Sequence, residues 1–165
     1  MKRKLMQKLN WKIIVAESIG IIFLIHGSKR FQISYYSDIW KALIEVDSEK
    51  LESLKIKNVG QFLYDSQIFG FWIFLAWVLL LLLFKWKIKL PLADTILTLI
   101  LVFLLFPIGF FNIDFITGLF NSIGSLFTND IGFSFLISGL ILTLIGLGLL
   151  WAGIKINKNY TQHSI

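Results

Sequence analysis

From Ile68 to Phe84 the chain reads IFGFWIFLAWVLLLLLF, seventeen residues without a charge. A stretch of that length and composition belongs in hydrocarbon, because about 20 apolar residues in a helix span a bilayer core. Three more apolar runs accompany it, at about 13–27 (IIVAESIGIIFLIHG), about 92–111 (LADTILTLILVFLLFPIGFF) and about 131–151 (IGFSFLISGLILTLIGLGLLW). Only helices and closed barrels satisfy their own backbone in lipid. Runs of this length predict an all-α integral membrane protein: a bundle of four transmembrane helices in one membrane domain covering 1–165. Hydrophobic residues make up 56% of the chain and its mean hydropathy is +0.77, above the roughly 45–50% apolar content of soluble domains.

The basic residues orient the four runs. Lys2, Arg3, Lys4, Lys8 and Lys12 precede the first run, Lys85, Lys87 and Lys89 separate the second from the third, and Lys155 and Lys158 follow the fourth. Cytoplasmic flanks collect Lys and Arg in this way, which predicts cytoplasmic N- and C-termini in a bacterial inner membrane. The basic start followed by an apolar run imitates a signal peptide, but no small-x-small cleavage pattern closes it and Glu17 interrupts it. An uncleaved signal anchor is expected. The net charge of +6 sits beside apolar runs, where it touches headgroups, so the partner it implies is the lipid bilayer and not nucleic acid. The chain has no cysteine, which excludes disulfides, thiolate nucleophiles and cysteine-ligated metals.

The segment at about 28–67 is too long for a simple hairpin and carries six basic and six acidic residues. Tyr36, Ile39, Trp40, Leu43 and Ile44 form a helical apolar stripe, Asp47 or Ser48 suits the cap of a second helix, and Asn58 with Gly60 suggests a turn. An extracytoplasmic helical cap is expected. Between the third and fourth runs, Ile113, Ile116, Phe120, Ile123 and Phe127 recur at helical spacing. They predict an interfacial helix over 113–127, with a re-entrant segment as the alternative. Pro107 is expected to kink the third run or end its regular part. On the fourth run Gly139 and Gly146 share a face, and Gly148 with Ala152 makes a small-xxx-small step, both suited to close helix packing.

Three residues stand out as a candidate intramembrane polar site: Glu17, Asp94 and His26. Glu17 sits roughly 6 Å inside its boundary, where a carboxylate must be paired, hydrated or protonated. Asp94 enters the third run at a comparable depth. The two carboxylates either share one site or act separately, Asp94 as a first-turn carboxylate at the positive end of a helix and Glu17 in an ion pair; Lys12, Lys87 or Lys89 are candidate counterions. Thr95 and Thr98 add hydroxyls. His26 lies nine positions from Glu17, on the opposite face and about 13 Å away along a helix, so the two cannot pair directly. No catalytic residue, metal ligand set or nucleotide fingerprint is recognisable.

The stretch GIIFLIHGSKRF, through Gly20, Phe23, Gly27 and Arg30, resembles the first helix of the DoxX-like family, small bacterial membrane proteins usually of four helices. The family often places an arginine near the start of this motif, where this chain has Glu17, and lacks so large an outer segment. The resemblance implies a membrane oxidoreductase component with a quinone as redox cofactor; the residues themselves predict no cofactor. The thin catalytic inventory and the oily second run favour another role, an accessory or structural subunit that partners other membrane protein subunits or copies of itself. A proton-coupled small-solute transporter, with Glu17 and perhaps Asp94 facing a cavity, is the third expectation.

Overall fold

The computed structural model describes residues 9–105 and 114–162. Among them there are helices and no strand: α1 Trp11–Tyr35, α2 Ser37–Ile44, α3 Ser48–Ser53, α4 Val59–Lys87, α5 Ala93–Leu105, α6 Asp114–Ser125 and α7 Ile131–Gln162. Side-chain oxygens cap several of these helices. Asn10 accepts from Lys12 N–H at the start of α1, Asp47 from Lys50 N–H at α3, Asn58 from Gln61 N–H at α4, and Asp130 from Phe133 N–H at α7. Asn58 therefore opens a helix that reaches the membrane without interruption, and α1 likewise runs on past Gly27 to Tyr35.

The four-span expectation is corrected. Three helices among the described residues are long and apolar enough to cross a membrane: α1, α4 and the Ile131–Asn159 part of α7. The protein is a multi-pass, all-α membrane protein. The stretch expected as the third span instead begins as α5, whose 13 residues reach ~20 Å, short of a ~30 Å hydrocarbon core. Its described part ends at Leu105, two residues before Pro107. A proline removes one helical N–H and its ring collides with the carbonyl four residues back. Residues 106–113, with Pro107 and Ile113, lie outside the described residues. α5 starts beside Asn10 and Glu17 and runs along α1 to bring Val102 against Ile21 and Leu24, whereas α6 lies beside Phe23, His26 and Arg30.

α1 is the hub. It packs most extensively on α7, then on α5 and α4. Ile21, Leu24 and Ile25 of α1 form one core with Phe74, Val78 and Leu81 of α4, Val102 of α5 and Leu150 of α7. The α1–α7 contact is antiparallel and glycine-lined at seven-residue intervals. A methyl added at Gly27 would stand 3.0 Å from Gly139 O, and one at Gly146 would stand 2.8 Å from Gly20 O. Gly153 continues the series and faces Glu17 Cγ. Seven-residue spacing keeps one side of each helix on the seam, and the absence of side chains lets the backbones touch, which is how helices gain contact in lipid. Gly139 and Gly146 thus share the packing face, but Gly148 looks into open space and takes no part in it.

The ends of α2, α3 and α4 share one geometry. Val46, Lys55 and Lys89 adopt φ of 54°, 60° and 57°, and the next amide returns to a carbonyl five residues back: Asp47 to Ala42 (2.9 Å), Ile56 to Leu51 (3.0 Å) and Leu90 to Lys85 (3.0 Å). This is the Schellman arrangement, which normally places glycine at the left-handed position. An L residue there is strained by about 1–2 kcal/mol, and a β-branched one such as Val46 is the least suited.

Two outcomes follow for stability in detergent. Gly146→Ala is expected to cost about 1–3 kcal/mol through overpacking, while Gly148→Ala is neutral or slightly stabilising; equal effects in equilibrium unfolding followed by tryptophan fluorescence would refute the seam. Val46→Gly is expected to stabilise by about 1 kcal/mol, read as a rise in the unfolding midpoint, and a fall would reject the strain at that position.

Candidate functional site

Two buried polar clusters lie at opposite ends of α1. At the end where α1 starts, Glu17 projects between α4 and α5. Its Oε1 makes an ion pair with Lys85 Nζ, and both side chains are 0% exposed. Lys85 also donates to Thr95 Oγ1, which donates to Glu17 Oε2 at 2.8 Å. The three side chains close a ring that ties α1, α4 and α5 together. Opposite charges meet inside the ring with Thr95 bridging them, and a buried charge is tolerated only where it is paired in this way. Thr98 adds a contact from α5 to α1, donating to Ile14 O at 3.4 Å.

Asp94 is next to Thr95 in sequence but turns elsewhere. Its Oδ1 accepts from Asn10 N–H at 2.8 Å, holding the start of α1 against the first turn of α5. The structure brings Thr95 to Glu17 and sets Asp94 on the neighbouring backbone. The counterion of Glu17 is Lys85, not Lys12, Lys87 or Lys89. Lys85 is the first charge after the apolar run of α4, and on an antiparallel neighbour it falls at the depth of Glu17. The signal was present in the sequence, but its use required the register of α1 on α4. Asn157 of α7 closes the same end, with Nδ2 donating to Pro91 O at 3.4 Å.

At the other end, His26 and Arg30 are one turn apart and buried, at 4% and 3% exposure. Arg30 Nη1 donates to His26 O at 3.1 Å and lies 3.5 Å from His26 Nδ1. Its Nη2 donates to Asn121 Oδ1 at 2.6 Å and to Thr117 O at 3.3 Å. Phe120 of α6 packs under the guanidinium at 5.5 Å and edge-on to His26, with ring centroids 5.1 Å apart. Arg30 therefore docks α6 onto α1 through neutral acceptors and a cation–π contact, and its Nε has no hydrogen-bond partner. Of the residues carrying the resemblance, Gly20 and Gly27 line the α7 seam, Phe23 meets Phe120 with the rings tilted and their centroids 5.1 Å apart, and Arg30 holds α6.

Glu17 and His26 stand ~13 Å apart along α1 and do not form one site. Among the described residues no three His, Asp or Glu side chains converge to hold a metal ion. The chain matches no family model, no curated protein and no solved structure.

The Glu17–Lys85 pair makes a sharp prediction. Lys85→Met leaves a carboxylate buried without its counterion and is expected to destabilise by about 3–5 kcal/mol. The double variant Glu17→Leu with Lys85→Met removes both charges and is expected to regain most of that loss in equilibrium unfolding. A double variant as unstable as the single one would show that the uncompensated charge is not the cause.

Proposed function

We propose that this chain is an accessory, structural subunit of a larger membrane assembly, in a bacterial inner membrane with its lysine-rich ends in the cytoplasm. The observation that carries the reading is the Glu17–Lys85–Thr95 ring, in which the most conspicuous intramembrane carboxylate is ion-paired and fully buried. A carboxylate that carries protons or a substrate needs access to one aqueous side or to a ligand. This one has neither in the arrangement described, and its evident role is to lock helices together. Asp94 likewise spends its oxygen on the amide of Asn10.

The outer faces of the bundle support the same reading. α4 packs chiefly on α1, and only 22% of its apolar stretch is buried. Trp72, Leu79, Leu80 and Leu83 are exposed along it. In lipid such a face needs no cover, so its exposure alone does not define a partner. Joined to a sealed interior, it leaves the exterior as the working surface of the protein.

The test is site-specific photocrosslinking of the full chain in native membranes. A crosslinker at the exposed Leu80 is expected to give reproducible adducts with another membrane protein chain, and one at the buried Leu142 is expected to give none. Extraction in mild detergent should then recover the same partner. A monodisperse monomer without adducts from α4 or α7 would overturn the proposal.

A further inference from the structure

Lys85, Lys87 and Lys89 close the apolar run of α4, and they face different surroundings. Lys85 turns inward to Glu17, whereas Lys87 and Lys89 are exposed. A helix advances ~100° per residue, so Lys87 projects away from Lys85. Leu83, Trp86 and Lys87 stand at i, i+3 and i+4 and share a face. A continued helix would send Lys89 ~200° away from Lys87. Instead α4 ends at Lys87, and Lys89 takes a φ of 57°, at the position where such a turn normally has glycine. The turn returns Lys89 to the side of Lys87. The two lysines, Leu83 and Trp86 together line one cavity of about 550 Å³.

Both cations in this cavity lack an anionic partner within the protein. The carboxylates described at this end of the bundle are Glu17 and Asp94. Glu17 is paired with Lys85, and Asp94 accepts from Asn10 N–H. Among the described residues no ion pair reaches Lys87 or Lys89. Depth adds a second constraint. The uncharged run Ile68–Phe84 covers ~25 Å of a ~30 Å hydrocarbon core, so the cavity opens at the edge of that core with its lysines at headgroup depth. Trp86, exposed beside them, belongs to the residue type that settles at a membrane–water interface. Leu83 continues down α4 into the exposed Leu79 and Leu80, an apolar strip running from the cations toward the membrane interior.

The geometry points to a binding site for one anionic phospholipid at the turn between α4 and α5, with its headgroup phosphate between Lys87 and Lys89 and an acyl chain along Trp86, Leu83 and Leu79. Charge complementarity selects this occupant. Two unpaired cations and no carboxylate line the cavity, so a lipid with net negative charge is favoured over a zwitterionic one. The apolar strip below the lysines favours a lipid over a soluble anion, because only a lipid brings acyl chains to cover it. The site does not depend on membership of a larger assembly and survives the failure of that reading.

The experiment is native mass spectrometry of the full chain released from detergent, titrated with dioleoylphosphatidylglycerol or dioleoylphosphatidylcholine. The expected result is a saturable phosphatidylglycerol adduct, weaker adducts with phosphatidylcholine, and a roughly fivefold loss of the former in Lys87→Gln, the size expected for one cation at an anionic surface. Lys87→Arg should retain binding. Lys158→Gln removes an exposed cation of α7 that does not line the cavity and should leave binding unchanged, which separates a site from diffuse surface charge. Lys89→Gly should weaken binding as Lys87→Gln does while its thermal unfolding midpoint stays level or rises, since glycine suits the left-handed position. This last variant keeps the proposal testable if Lys87→Gln fails to fold. Equal binding of the two lipids, an unchanged adduct in Lys87→Gln or Lys89→Gly, an equal loss in Lys158→Gln, or displacement of the lipid by inorganic phosphate would each overturn it.

Discussion

Lys85 and Glu17 neutralise each other in a space that excludes water, and the arrangement of α1, α4 and α5 depends on that contact. An ammonium or a carboxylate alone at this depth would be costly. Together, with Thr95 bridging them, they set the rotation and the height of each helix, because a shift of one residue on any of the three would leave a charge facing hydrocarbon. The register they impose runs up the α1–α4 contact to Trp77 on Ser28 and Ser66 on Gln32. Such a pair contributes less to net stability than to specificity: apolar replacements of both partners can be as stable, but they would not distinguish one register from the next.

The α1–α7 contact works by other physics. Lipid tails are as apolar as leucine, so burial of side chains supplies little drive for association. Glycines at seven-residue steps instead bring two backbones within van der Waals reach, and Ser34 Oγ donating to Gly132 O at 2.8 Å closes the end where α7 begins. α1 thus combines a close-packed, uncharged seam on one side with charge-locked contacts on the other. The first fixes distance and the second fixes register, which explains why α1 is the most buried of the three long helices.

The end of α1 that carries Arg30 has a different balance. Arg30 orders α6 through neutral acceptors, Lys29 rests on Gly70, and α2 and α3 end in left-handed residues that are not glycine. Both cations lie at the opposite end of α1 from the Glu17–Lys85 pair. This asymmetry, more than any catalytic motif, distinguishes the chain from a plain bundle of apolar helices.

Much of this was legible in the sequence. The uncharged run before Lys85 required a helix in lipid, the lysine clusters marked one side, and Gly139 with Gly146 announced a packing face, because each depends on local composition or on the 3.6-residue period. Glu17, Asp94 and His26 could be singled out for the same reason: a polar group in an apolar run is visible without a structure. Their partners were not visible. The choice of Lys85 over its neighbours, of Asn10 for Asp94 and of Asn121 for Arg30 depends on how helices dozens of residues apart rotate and slide against one another. Local chemistry determined that this chain enters a membrane as helices and which residues would be costly there; only the packing of those helices decided how each cost was met, because charge compensation and close contact are properties of pairs.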